Sequence, residues 1–346
     1  MPESKKPSRI ISPSASPEEL QYEVSLRPQR LDDFTGQAKL KELLSVTIEA
    51  ARRRGEAMDH VLLIGPPGLG KTTLANIVAQ ELEVPFDLTS GPMLQKKLDL
   101  TGILSNVRDR QVFFIDEIHR LMADIEEVLY SALEDFRVDI VIGQGPGART
   151  HSLPIQKFTA IGATTRQGLL SAPLRGRFGL ILYLKHYEVP ELQKIVMRAA
   201  KLLQTPIDTD AAEEVARRSR GTPRIANRLL RRVRDYAEVR AQGHVDLVVA
   251  RRALDLLEVD RFGLDEIDKK IMITILDKYS GGPVGLNTIA ASTDEEPDTI
   301  EEVYEPYLIQ LGFLDRTPRG RTGTERAFEY FGIERRPMGW GQNKLF

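Results

Sequence analysis

The sequence contains no cysteine in 346 residues. That excludes a disulfide scaffold and any thiolate-held zinc or iron–sulfur centre. It lacks an apolar run of the roughly 18 residues that a membrane-spanning helix needs. Residues 1–17 are rich in serine and proline, with Lys5, Lys6 and Arg9, but have no apolar stretch of the kind that drives secretion. A cytoplasmic protein is therefore expected. An excess of either charge is missing too: 48 basic residues face 50 acidic ones, a net charge of −2. A generally cationic protein is thus excluded, though local basic patches are not. No internal repeat is visible. What is present is ordinary for a folded chain, 41% hydrophobic and 28% charged residues, in a length that suits two or three domains.

Apolar spacing divides the chain. Residues 1–22 read as a tail without periodicity. Residues 38–53 read as a helix with Leu40, Leu43, Leu44, Thr47 and Ile48 on one face. Short apolar runs at 60–64, 112–115 and 158–161 alternate with helical segments such as 71–82, the signature of a parallel sheet covered on both faces. Beyond about Tyr187 the strand signals fade. Helical patterns at 189–203, 210–218, 224–239 and 245–257 suggest a small all-helical domain. After Arg261-Phe262-Gly263 come three helices, near 264–279, 286–292 and 298–311, and a ribbon over 313–327 with a Pro-Arg-Gly-Arg tip. That order describes a winged helix. The expected organisation is a tail (1–22), a large α/β domain (23–186), a small helical domain (187–260), a winged-helix domain (261–335) and a C-terminal tail (336–346).

The chemistry begins at Gly65-Pro66-Pro67-Gly68-Leu69-Gly70-Lys71-Thr72, which fits G-x-x-x-x-G-K-[ST] and sits between a buried strand and a helix. Its glycines let backbone N–H groups curl around phosphates, Lys71 is suited to the β/γ-phosphates, and the Thr72 hydroxyl to Mg²⁺. The apolar run Val112-Phe113-Phe114-Ile115 ends in Asp116-Glu117. Asp116 is placed to hold Mg²⁺ and Glu117 to deprotonate an attacking water. Thr165, or else Thr164, ends the third strand where a γ-phosphate can be sensed; a helix cap is the plainer reading. Arg175 and Arg177 in Leu174-Arg175-Gly176-Arg177-Phe178-Gly179 can reach a neighbouring subunit's nucleotide, or simply form a surface salt bridge. Arg224 opens a helix of the small domain and can reach the nucleotide in cis.

Two further features lie outside the phosphate machinery. Residues 138–142 and 149–154 flank Gly143-Gln144-Gly145-Pro146-Gly147 and read as an inserted β-hairpin. Nine arginines between 217 and 240 fit a solvated helix with ion pairs, whereas Arg316, Arg319 and Arg321 crowd a turn set by Pro318 and Gly320 and suggest a wing that seeks phosphates without reading sequence.

Together these pieces resemble the AAA+ ATPases and, within them, the family of Holliday-junction branch-migration motors. The likeness runs from about Glu23 to Gly332 on DHVLLIGPPGLGKTTLA (59–75), FIDEIHRL (114–121), IGATTR (161–166), APLRGRFG (172–179), GTPRIANRLLRR (221–232) and EPYLIQLGFLDRTPRGR (305–321). The resemblance implies an AAA+ P-loop core with a parallel sheet, a small all-helical lid and a C-terminal winged helix. It implies a bacterial, ATP- and Mg²⁺-dependent motor acting as a hexameric ring on duplex arms in recombination and repair. Position by position, it implies that Leu26 and Arg27 line the adenine pocket and that Gly68, Gly70, Lys71, Thr72 and Thr73 hold the phosphates. Glu134, Asp135, Phe136 and Tyr187 would border the nucleotide, Arg177 would be the finger in the neighbour's site, and Arg224 the lid sensor. Arg316 and Arg321 would touch DNA phosphates beside Arg319. The hairpin would dock RuvA, the junction-binding partner, through Ile140, Ile142 and Leu153, with RuvC joining in the resolving complex.

Three departures from the family pattern stand out: Pro297 where a DNA-contacting arginine is usual, His151 where an aliphatic residue is expected, and an atypical stretch over 95–107. Two other classes remain to be weighed. A clamp-loader-like switch would share the phosphate loop but lack the winged domain. A nucleotide-regulated transcription factor would carry the winged domain but need neither Arg177 nor Glu117.

Overall fold

The computed structural model describes residues 23–142 and 149–335. The expected tails and the glycine-rich hairpin tip lie outside them. The chain separates into two compact units, Val24–Tyr187 and a second formed by Glu23 with 188–335. Among the described residues no helix is long and apolar enough to cross a membrane.

The first unit is built on five parallel strands, β1 (Val61–Ile64), β2 (Phe86–Ser90), β3 (Val112–Asp116), β6 (Thr159–Thr164) and β7 (Leu180–Tyr183), in the order β2-β3-β6-β1-β7. The three central strands are the apolar runs seen in the sequence, and they are buried throughout apart from Asp116. Helices cover both faces, so the strands stay apolar until they leave the sheet, apart from Thr159 at the start of β6, whose hydroxyl donates to the Met58 carbonyl at 2.9 Å. The edge strands β2 and β7 have mixed exposure, with Leu88 and Tyr183 in solvent. That mixture hid them from an apolar-run reading. Helix α1 (Ala38–Arg54) buries Leu40, Leu44, Ile48 and Ala51, while Leu43, expected on that face, is 44% exposed at its rim. Helix α2 (Lys71–Leu82) leaves the phosphate loop and packs on β3 and β6. Helices α3 (Lys97–Ser105), α4 (Ala123–Glu134) and α5 (Ala172–Gly176) complete the layer. The hairpin is present as β4 (Arg137–Ile142) antiparallel to β5 (Arg149–Pro154), with Ile140 opposite His151. Leu153 is exposed, Ile140 is half-buried, and the Ile142 side chain lies outside the described residues.

The second unit holds four lid helices, α6 (Val189–Leu202), α7 (Thr209–Arg217), α8 (Pro223–Arg240) and α9 (Leu247–Leu256). The winged helix follows: α10 (266–278), α11 (Leu286–Thr293), α12 (297–310), the ribbon β8 (Leu314–Thr317) and β9 (Gly320–Gly323), and α13 (Glu325–Phe331), the last missed in the sequence. Wider turns occur in α10 at Thr274–Lys278 and in α12 at Ile300–Tyr304.

Lid and wing meet through a buried ion pair. Arg220 donates to both Asp268 carboxylate oxygens at 3.0 and 3.2 Å, with side-chain exposures of 2% and 0%. The guanidinium lies 4.3 Å over the Tyr307 ring, whose hydroxyl donates to the Phe262 carbonyl at 2.6 Å. Burial pushes the Asp268 carboxyl upward and Arg220 opposes that shift. Next to this pair, Arg218 donates to the Val259 carbonyl and to Asp255.

Removing one member of such a pair strands the other charge and costs about 3–5 kcal/mol. Arg220→Met should therefore lower the calorimetric transition of the lid and wing and leave that of the sheet-bearing unit in place. An unchanged thermogram would show that the pair stabilises nothing.

Candidate active site

Parallel pairing puts the carboxyl ends of β1, β6 and β3 side by side: Ile64 is in register with Thr164, and Ile115 with Gly162. The phosphate loop, Thr164-Thr165 and Asp116-Glu117 consequently leave the sheet along one edge. In open α/β sheets that edge is where ligands bind. Gly68 and Gly70 hold φ angles of 80° and 100°, which side-chain-bearing residues rarely adopt, so the loop can fold back on itself before α2 starts. The amides of the first helical turn have no partner within the helix and carry partial positive charge. Lys71 is 8% exposed and donates to the carbonyls of Gly65 at 2.7 Å and Pro66 at 2.9 Å, which ties its ammonium to the loop. Tyr187, also buried, donates to the Leu69 carbonyl at 3.2 Å. Thr72 and Thr73 are half-buried at the helix start, and Leu26 is buried while Arg27 is partly exposed.

Glu117 occupies the left-handed region at φ 47°. Strain of this kind in a non-glycine residue clusters at functional sites. Its amide donates to the Asp116 carboxylate at 3.0 Å and its own carboxylate accepts from Arg120 at 3.1 Å. His119 is a neighbour for which sequence reasoning assigned no role. Its Nδ1 is 3.0 Å from the Thr164 hydroxyl, and that hydroxyl also accepts the Arg166 amide at 2.9 Å. Burial lowers the His119 pKa, with Glu117 pulling the other way, so the ring is held toward its neutral form. Thr164 is thus fully engaged, and Thr165, half-buried, is the next hydroxyl along. The signal for His119 was its place three residues after Asp116.

Arg177 lies within a set of contacts on its own chain. It donates to Glu134 at 2.8 Å and to the Pro173 carbonyl at 2.8 Å, and its guanidinium sits 4.4 Å over the Tyr130 ring. Tyr130 and Ser171 both donate to Glu126 at 2.7 Å, which fixes the ring under the guanidinium. Nothing in the spacing of residues points to Tyr130. Asp135 pairs with Arg137. Phe136 turns its ring toward His60 and Phe158 in the core, at 6.1 Å from each, so its side chain packs rather than lining an open surface. Arg224 belongs to the second unit, where it lies 3.6 Å from Glu23.

On the wing, Arg319 is exposed at the tip of the ribbon. Arg316 and Arg321 are not open in the same way. Arg321 donates to Glu305 at 2.9 Å and is 12% exposed, and Arg316 bonds to Glu301. Among the described residues no cluster of three or more His, Asp or Glu could hold a metal. The oxygen donors of Thr72 and Asp116 still suit Mg²⁺, which takes one or two protein ligands and completes its shell with phosphate and water.

Against known proteins, three family descriptions match in succession: the Holliday junction DNA helicase RuvB P-loop domain over 26–184, the RuvB AAA lid domain over 187–260, and the RuvB C-terminal winged helix domain over 261–332. The chain is similar to the Holliday junction branch migration complex subunit RuvB of Solibacter usitatus, 72% identical over 327 residues that span 94% of this chain and 95% of that one. It is 61% identical to the subunit of the same name from Koribacter versatilis over 323 residues, 93% and 90% of the two chains. A solved structure of the Thermotoga maritima RuvB Holliday junction branch migration motor superposes with a TM-score of 0.82 at 52% identity, over 90% of this chain and 99% of that one.

The two carbonyls that receive the Lys71 ammonium belong to the phosphate loop itself, not to the sheet. Lys71→Ala should keep its circular dichroism and thermal transition but lose binding of nucleoside triphosphate. Titration calorimetry showing undiminished affinity would remove Lys71 from the phosphate site.

Proposed function

This chain belongs to the RuvB family, AAA+ ATPases that drive branch migration of Holliday junctions, and we propose that its hydrolytic site is completed between neighbouring copies of the chain in a hexameric ring. The common carboxyl edge of β1, β3 and β6 carries this reading. Lys71, Gly68, Gly70 and Thr73 bind the phosphates, Leu26, Arg27 and Tyr187 the nucleoside side, and Glu117 takes the proton of the attacking water. Thr72 and Asp116 would hold Mg²⁺, which when bound neutralises charge on the phosphates. Thr165 senses the γ-phosphate and Arg224 the bound nucleotide from the lid.

Arg177 acts in trans. What supports this is its attachment to Glu134 and Tyr130 of its own surface, with Glu134 63% exposed. An exposed carboxylate is a weak partner. A triphosphate on the adjoining subunit offers a stronger one, and Glu134 and Asp135 would then border that nucleotide from the same side. Phe136 serves this surface through its packing.

The relatives are named as subunits of a branch migration complex, and the partner is RuvA, met by the hairpin through exposed Leu153 and half-buried Ile140. The complex works in the cytoplasm in recombination and repair, with RuvC at resolution. DNA is held by the wing. For hydrolysis to move it, ATP and ADP must bind with different affinity to two arrangements of the chain. The presence of a winged domain disfavours a clamp-loader-like switch, and the strained Glu117 beside a phosphate loop disfavours a simple transcription factor.

Glu117→Gln should bind ATP and hydrolyse it at least about 10²-fold more slowly, the usual contribution of a general base. Steady-state phosphate release at the wild-type rate would remove Glu117 from that role. Arg177→Ala should bind ATP and lose turnover by about 10³-fold or more. Mixed with Lys71→Ala subunits it should regain activity, because each variant is intact where the other fails. If co-assembled mixtures never exceed the weighted sum of the two, Arg177 does not act across the interface.

A further inference from the structure

Arg316 and Arg321 face one another directly in the β8–β9 ladder. Like charges at opposed positions repel, and both side chains turn to carboxylates on α12. Their two partners differ in kind. Glu305 is 2% exposed and receives Arg321 through Nε at 3.1 Å and a terminal nitrogen at 2.9 Å. The backbone of Arg321 exchanges two hydrogen bonds with Val284, at 2.8 and 2.9 Å. Next to it Gly320 sits at φ 137° with no room for a Cβ, which would meet the Val284 carbonyl oxygen at 2.5 Å. Arg321 is therefore built into the domain. Arg316 is different: 54% exposed, bonded to Glu301, which is 22% exposed and also lies 3.6 Å from Arg321. Glu305 lies 3.6 Å behind Arg316.

The rest of α12 reinforces the contrast. Between Lys278 and Arg316 the sequence has eight acidic residues and no basic one. Four of the eight, Asp298, Glu301, Glu302 and Glu305, lie on α12, and a helix of this charge is repelled from a phosphate backbone, which favours the arginine-bearing ribbon as the part of the domain that meets duplex. The ribbon's most exposed guanidinium besides Arg319 is the one that Glu301 occupies.

We propose that Glu301 is an intramolecular stand-in for a DNA phosphate: it holds Arg316 in the binding orientation, must be displaced when the wing engages duplex, and thereby weakens the grip of the wing. This rests on the reading that Arg316 contacts the DNA backbone. A carboxylate and a phosphodiester present the same planar pair of acceptors to a guanidinium. Exchanging one for the other leaves the charge on Arg316 compensated in both states, so this contact yields less affinity and less salt dependence than an arginine without a carboxylate partner would, though not none. A motor that must let go of each phosphate is served by a grip kept weak.

The test is fluorescence anisotropy of the full chain on two unrelated duplexes across a salt series. Glu301→Gln should bind about two- to fivefold more tightly, the range for a partly exposed charge pair. Its log–log salt slope should steepen by up to about 0.9, one phosphate contact. Loss of a merely structural contact would weaken binding instead. Glu301→Asp, which keeps the charge on a shorter arm, should fall between wild type and Glu301→Gln. Arg316→Ala should weaken binding, and adding Glu301→Gln to it should give no gain. Exposed Glu329 on α13 supplies the control: if Glu329→Gln matches Glu301→Gln, general charge is responsible and the proposal fails. Wild-type affinity and slope in Glu301→Gln, with Arg316→Ala weakened, overturns the proposal alone. Arg316→Ala without effect overturns the reading of the wing beneath it.

Discussion

Complete burial of three adjacent parallel strands is the constraint on which the site depends. β1, β3 and β6 are covered on both faces, so their side chains must be apolar along nearly their whole length. Polar chemistry can appear only where the strands end, and the parallel register makes them end together. Asp116, Thr164 and the phosphate loop are near one another because each follows a strand of the same sheet at the same level. The short strands are therefore as much a part of the site as its charged residues. A slip of one register position would carry Asp116 away from the loop and reverse the faces of every core residue.

A second pattern concerns arginine. Partner exposure sorts these side chains into fixed and exchangeable groups. Arg220 and Asp268 are almost fully desolvated, and Arg321 rests on a carboxylate only 2% exposed. Separating either pair leaves a buried charge without compensation, so both are held firmly. Arg177 and Arg316 have exposed or partly exposed partners, Glu134 and Glu301. Such pairs contribute little net stability and give way to a better anion. In the roles proposed for Arg177 and Arg316, each carboxylate would hold a guanidinium in place until a phosphate arrives, so the entropy of immobilising a long side chain would be lost before binding.

Much of the site was legible because its residues are adjacent in sequence. The phosphate loop, Asp116-Glu117 and Thr164-Thr165 each follow an apolar run that announces a buried strand, and the order of the parts is that of the sheet edge. Leu88 and Tyr183 on the edge strands break the apolar pattern, and β2 and β7 were missed for that reason. What sequence spacing could not give is pairing at a distance. Tyr130 lies 47 positions before Arg177, and Glu301 lies 15 before Arg316. A sequence lists both arginines as open charges, whereas the fold supplies each with a partner. Nor could spacing separate Arg321 from Arg316, whose carboxylate partners, Glu305 and Glu301, differ in burial.

The fixed pairs also bear on how force is carried. Lid and wing are joined by Arg220–Asp268 and by Tyr330 donating to Asp260 at 2.6 Å. Asp268 is in addition the third residue of α10 and accepts the Asp265 amide at 3.0 Å, so the carboxylate that receives the lid's arginine also caps the first helix of the winged domain. Hinging at this joint would break a helix cap and expose a buried ion pair in the same movement. Each is costly, and they share one carboxylate, so they fail together rather than in sequence. A rotation of the lid would therefore reach the winged domain with little loss. The partly exposed contact between Arg316 and Glu301 on the ribbon is the compliant one by comparison, as its proposed exchange for a DNA phosphate would need.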